Sequence, residues 1–152
     1  FNRWPSFREK RWNYIKRKAE SKIVQSQRPS IFASDTDGEA CQQLNACIQK
    51  YHLADTVQVQ QIDFFNLDPL ELTDRSGTVC INPPYGRRLG QRKEAEAFFR
   101  GVGDKLMQAY RGWKLVLLAP SRKMADMLPF QAQSIPIRHG GLKLILLIGK
   151  IQ

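Results

Sequence analysis

The run Asn82-Pro83-Pro84-Tyr85-Gly86 brings several chemically useful groups together. Proline has a fixed φ and no N–H, and it forces the residue before it into an extended conformation. Pro83 and Pro84 therefore stiffen this segment and remove two donors. Two acceptors remain, the side-chain amide oxygen of Asn82 and the backbone carbonyl of Pro83. Tyr85 adds a flat ring, and Gly86 lets the chain turn sharply. Converging acceptors beside a ring suit a planar base that carries an exocyclic NH2. Each acceptor takes one amino hydrogen and draws the nitrogen lone pair out of conjugation. The nitrogen becomes tetrahedral and nucleophilic. Attack on a charged methyl donor then needs no titrating base, because the proton leaves after transfer. The rate would come from positioning and electrostatic preorganisation. A strand-ending proline turn explains a bare Pro-Pro better than it explains this longer run after an apolar strand.

Other polar residues fall at expected strand ends: Asp35, Asp63 and Pro120-Ser121. In open α/β sheets ligands lie beyond the carboxyl ends of the strands. Two acids at successive strand ends suit a ligand with hydroxyls and an amino group, such as a nucleoside, and an acid in this place is a familiar acceptor for ribose hydroxyls. Asp37 is assigned to helix capping, with Thr36 and Glu39 as a further capping box. Asp35 is assigned mainly to a ligand. Asp63 taken alone also reads as a turn former. Ser121 has no His and Asp arrangement that would make it a nucleophile.

The elements that must position these groups follow from hydrophobic periodicity. Ser6-Phe7-Arg8-Glu9 reads as a capping box with Ser6 as the cap. Trp12, Ile15, Ala19 and Ile23 then recur at helical spacing, so a basic amphipathic helix is predicted from about Phe7 to Val24, ended by Pro29. A short strand over 30–34 precedes a second helix with Ala40, Cys41, Leu44, Cys47 and Ile48 on one face. Val57, Val59 and Ile62 mark a strand closing on Asp63. Thr78 to Ile81 is a β-rich run, read as a central strand. A helix from Glu94 to Tyr110 carries Phe98, Phe99, Val102, Leu106 and Tyr110 as its buried stripe. Lys114 to Ala119 reads as a buried strand and Arg122 to Leu128 as a short helix. Strands over 133–138 and 142–151 flank the turn His139-Gly140-Gly141. The alternation predicts an α/β fold, a mostly parallel sheet ending in an antiparallel hairpin.

The 152 residues, 42% apolar and 25% charged, fit one soluble domain. No run approaches the roughly 20 apolar residues of a membrane span, and no membrane partner is expected. The three cysteines (Cys41, Cys47, Cys80) lack metal-type spacing, which argues against a disulfide scaffold or zinc module and for a reducing, cytoplasmic setting. No metal is expected. Cys41, Cys47 and Cys80 are read as core residues, and His52 and His139 as loop residues. The charge is uneven. Residues 1–28 hold nine basic and two acidic side chains, a net +7 of the chain's +10. Arg87, Arg88, Arg92 and Lys93 form a second cluster. Such clusters suit nucleic acid as a partner, and for the first a solvated helix face is an equal reading. Trp4 and Trp12 could stack on RNA but are assigned to packing.

The NPPYG segment resembles the signature of class I, S-adenosylmethionine-dependent amino methyltransferases. The longer run Asn82 to Gly90, with Ser34-Asp35-Thr36-Asp37 upstream and the opening Phe1-Asn2-Arg3, is similar to bacterial large-subunit rRNA guanine-N2 methyltransferases that carry an RNA-binding THUMP domain. That resemblance covers nearly the whole chain. It implies a Rossmann-like class I methyltransferase fold and S-adenosyl-L-methionine as cofactor, with ribosomal RNA as partner. By it, Asp35 binds the cofactor ribose, Asp63 the adenine amino group, and Phe64 lies against the adenine. Asn82, also beside the cofactor, holds the target base with Pro83, Pro84 and Tyr85. Arg87 and Arg88 meet RNA phosphates, although the family more often has an acid at 87. The family's glycine-rich cofactor loop is absent. The chain therefore reads over 1–152 as the C-terminal part of one catalytic domain. Its first strand, expected between the Ile31 and Val79 strands, is missing. These residues alone are expected to bind S-adenosylmethionine poorly, and calorimetric titration showing tight binding contradicts that. The clamp chemistry equally suits an adenine-amino methyltransferase of DNA or RNA, and the basic clusters alone suit a non-catalytic RNA-binding domain.

Overall fold

A computed structural model describes residues 2–24, 28–84, 92–139 and 141–152, with Arg92 and Lys93 described in their backbone only. The chain divides into two compact units, Phe1–Ile62 and Asp63–Gln152.

In the first unit, α1 (Glu9–Glu20) precedes β1 (Ile31–Asp35), α2 (Gly38–Lys50) and β2 (Val57–Gln61). β1 and β2 pair in parallel, from Ile31 opposite Val57 to Asp35 opposite Gln61. Both strands therefore end on the same side. α2 is the crossover between them, and it buries Cys41 and Ile48. Asp37 caps it as expected, accepting from the backbone N–H groups of Glu39 and Ala40. Past the C-cap Tyr51, His52 takes the left-handed conformation (φ 54°) and reverses the chain.

α1 departs from the sequence reading. It starts at Glu9 with Arg8 as N-cap and no side-chain cap, because the backbone N–H of Phe7 closes a separate turn onto the carbonyl of Trp4. It ends at Glu20, well before Pro29, with Ser21 as its C-cap. It contributes no buried residue. Trp4 is 67% exposed, and Trp12, Ile15 and Ile23 are exposed too, so the core position expected for the two tryptophans does not hold. Cys47 and Leu44 on α2 are likewise exposed, because β1 and β2 form too narrow a sheet to cover the whole helix face.

The second unit carries a 3-10 turn (Pro69–Glu71), β3 (Thr78–Ile81), α3 (Arg92–Ala109), β4 (Lys114–Ala119), α4 (Arg122–Ala125), β5 (Gln133–His139) and β6 (Leu142–Lys150). Its sheet runs β3-β4-β6-β5. β3 is parallel to β4, whereas β4–β6 and β5–β6 are antiparallel. The terminal hairpin forms as expected, and Gly141 takes the positive φ (81°) of its turn. α3 buries Phe99, Val102 and Leu106 completely, against Leu115, Leu117, Ala119, Leu147 and Ile151. Phe98 from the same expected stripe is only half-buried.

β3 is an edge strand here and not a central one. Val79 and Ile81 pack on the core, while Thr78 and Cys80 point to the other face and are exposed. Cys80 is therefore not a core residue. β1 and β3, between which the sequence reading expects a further strand, lie in separate sheets, and each has one unpaired edge among the described residues. No described helix is long and apolar enough to cross a membrane.

Candidate functional site

Asp35 ends β1 in the first unit. Its Oδ1 accepts the backbone N–H of Asp37 at 2.9 Å, closing a turn that aims Asp37 at the start of α2. The side chain is exposed, and its second oxygen has no protein partner among the described residues. Asp35 thus shapes its own loop and still offers a carboxylate acceptor to hydroxyl groups.

Asp63 opens the second unit and repeats that arrangement. Its Oδ1 accepts the N–H of Phe65 at 2.8 Å, and its carbonyl accepts the N–H groups of Asn66 and Leu67. The turn-forming role is therefore real, and one carboxylate oxygen stays available beside it. The segment is pinned by rings. Phe64 stacks on Tyr110 with centroids 5.8 Å apart and planes 19° from parallel. Phe65 meets the edge of Phe98 at 5.5 Å and lies over Gly101, where an added Cβ would come within 3.3 Å of its ring. Tyr110 is buried, and its phenol is held above the usual tyrosine range, first by burial and then by the negative charge of Asp68. It is a neutral backing for Phe64 at any physiological pH. Each of these carboxylates, taken in its own unit, keeps an oxygen able to accept a hydrogen bond from a hydroxyl or amino group.

Asn82 follows β3 directly, one residue beyond the last parallel pair, Ile81 with Leu117. The strand stops there because Pro83 has no N–H for the ladder. The Pro83 ring is buried while Asn82 and Pro84 are exposed. The chain is thus anchored at Pro83, immediately after Asn82, and Asn82 itself is open to solvent. On the neighbouring parallel strand, Ser121 caps α4 by accepting the N–H of Met124, which is a structural duty. Tyr85, Arg87 and Arg88 lie outside the described residues. Asp63, Phe64, Asn82, Pro83 and Pro84 share the second unit, and Asp35 belongs to the first.

The periodicity of the sequence marks Tyr110 as core but gives no sign that it backs Phe64. That contact joins a helix end to a loop more than forty residues earlier, and only a fold reveals it. A hollow lined by Trp4, Arg8, Arg11 and Trp12 was also not legible as such.

Residues 1–141 match the family described as RMKL-like, methyltransferase domain. A Synechocystis sp. protein named "Putative RNA methyltransferase slr0064" is 26% identical over 148 residues, which are 97% of this chain and 38% of that protein. The ribosomal RNA large subunit methyltransferase K/L of Acinetobacter baylyi is 26% identical over 161 residues, spanning 100% of this chain and 22% of the relative. Among solved structures, SMU.472 complexed with SAH superposes with a TM-score of 0.78 at 21% identity, over 100% of this chain and 40% of that one. This likeness shows the fold, the mixed α/β arrangement of class I methyltransferases.

Proposed function

This chain belongs to the RMKL-like methyltransferase domain family, and on that premise we propose that it carries the base-gripping part of an S-adenosylmethionine-dependent RNA methyltransferase. The target is the exocyclic amino group of a guanine in large-subunit ribosomal RNA, and the setting is cytoplasmic. The chain is read as the C-terminal part of one catalytic domain. Support comes from the names of the relatives and from Asn82, exposed at the end of β3 in front of a buried proline. Asn82 and the Pro83 carbonyl accept the two amino hydrogens, and Tyr85 lies against the base. Pro84 keeps the segment rigid. Preorganised acceptors lower the barrier because they need no rearrangement as charge develops. Asp35, Asp63, Phe64 and Asn82 would hold the cofactor, which when bound supplies an electrophilic methyl group. Arg87 and Arg88 would contact phosphates, contributing affinity and no sequence preference.

The test uses the full-length protein, tritiated S-adenosylmethionine and ribosomal RNA from cells lacking the gene, followed by nucleoside analysis. N2-methylguanosine is the expected product. N6-methyladenosine would replace the guanine reading by the adenine one, and no transfer to RNA would overturn the proposal.

A further inference from the structure

The first unit contains a second surface, remote in sequence from the candidate site residues Asp35, Asp63, Phe64 and Asn82 to Pro84. Arg8, Arg11, Trp12 and Ile15 recur at helical spacing and so form one stripe. With Trp4 and Phe7 from the preceding turn they line an open hollow of about 230 Å³. Trp4 is 67% exposed and Ile15 46%. Arg8 and Arg11 have no ion-pair partner among the described residues, unlike Lys16, which lies 3.7 Å from Glu20. The stripe mixes cations with aromatic rings. A helix face meant for a protein core segregates them, because each buried guanidinium needs a partner. A nucleic-acid strand needs both together, since bases stack on rings and phosphates pair with cations.

We propose that this hollow is a docking site for a single-stranded RNA segment, with Trp4 and Trp12 stacking on bases and Arg8 and Arg11 meeting phosphates. Charge complementarity selects the occupant, given the net +7 over residues 1–28. The inference rests on the RNA-directed reading above and adds a second contact, one that holds the substrate without touching the reacting base.

The test compares full-length variants by fluorescence anisotropy with a labelled single-stranded RNA oligonucleotide of mixed sequence, titrated at several salt concentrations. Lys10 and Arg17, seven residues apart, fall together on the opposite face of α1, so K10Q/R17Q removes the same charge as R8Q/R11Q. The R8Q/R11Q protein is expected to flatten the slope of log Kd against log salt by about 1.4, since each phosphate contact to a single strand contributes roughly 0.7. K10Q/R17Q is expected to leave that slope nearly unchanged. Trp12→Ala is expected to weaken binding by at least about 5-fold, the lower end for loss of one base stack, with an unchanged melting temperature and slope. Equal effects of the two double variants would overturn the site in favour of diffuse attraction. A Trp12→Ala protein that melts lower yet binds RNA normally would also overturn it, by showing that polypeptide covers the face. Affinity for S-adenosylmethionine is measured in parallel and is expected to be unaffected by all three variants. An absence of methyl transfer with the anisotropy results intact would sink the enzymatic reading and leave this one standing.

Discussion

α1 and α3 are both amphipathic helices, and they meet opposite fates. α3 lays Phe99, Val102 and Leu106 on the sheet of the second unit and hides them completely. α1 has an apolar stripe of comparable regularity, yet not one of its residues is buried. Periodicity says that a face is apolar; it does not say what covers it. The composition of the stripe carries that further information. α3 brings aliphatic and aromatic groups without cations to its buried face, whereas α1, with its N-cap Arg8, interleaves Arg8 and Arg11 with Trp12 and Ile15.

The contrast gives a ranked set of expectations. Phe99→Ala should destabilise the second unit most, by about 3–5 kcal/mol in denaturant unfolding, because an aromatic ring is removed from a site with no solvent access. Gly103→Ala should cost about 1–3 kcal/mol. The new Cβ would lie 2.7 Å from Cδ of Pro129, and a proline ring cannot swing aside. The usual gain of up to about 1 kcal/mol in helix propensity does not offset that contact.

Next in size is a pH effect at the end of α3. The Tyr110 phenol is raised by burial and by Asp68, so in the folded chain it stays protonated above the pH at which an unfolded tyrosine ionises, about 10. Its stabilising contribution is complete below that pH and is lost as pH rises beyond it toward the folded pKa. Thermal melts of Tyr110→Phe should therefore decline less steeply than wild type above about pH 10. The smallest effect belongs to α1: Ile15→Ala should change stability by no more than about 0.5 kcal/mol. A loss there as large as that of Phe99→Ala would erase the contrast between the two helices.

Much of the fold was legible because its signals are local. β3 and β4 fall where their apolar runs begin and end, and Asp37 caps α2 as its position before Gly38 and Glu39 suggests. What failed depends on neighbours in space. Cys80 sits in an apolar run and is exposed because strand alternation turns it to the face opposite the one that Val79 and Ile81 pack on the core. Ser6 does not cap α1, since the turn from Trp4 to Phe7 delays the helix to Glu9. In the site, proline chemistry made Asn82 and Pro83 visible in sequence, but the double duty of Asp35 and Asp63 as turn formers with a spare oxygen needed coordinates.

The account turns on whether two acceptors at the end of β3 grip an amino nitrogen in the transition state. The direct measurement is single-turnover methyl transfer by the full-length Asn82→Ala protein, with RNA affinity determined on the same sample. Loss of one preorganised hydrogen-bond partner predicts a fall in rate of about 10²–10³ and little change in Kd for RNA. A variant that transfers methyl groups at the wild-type rate would contradict the claim.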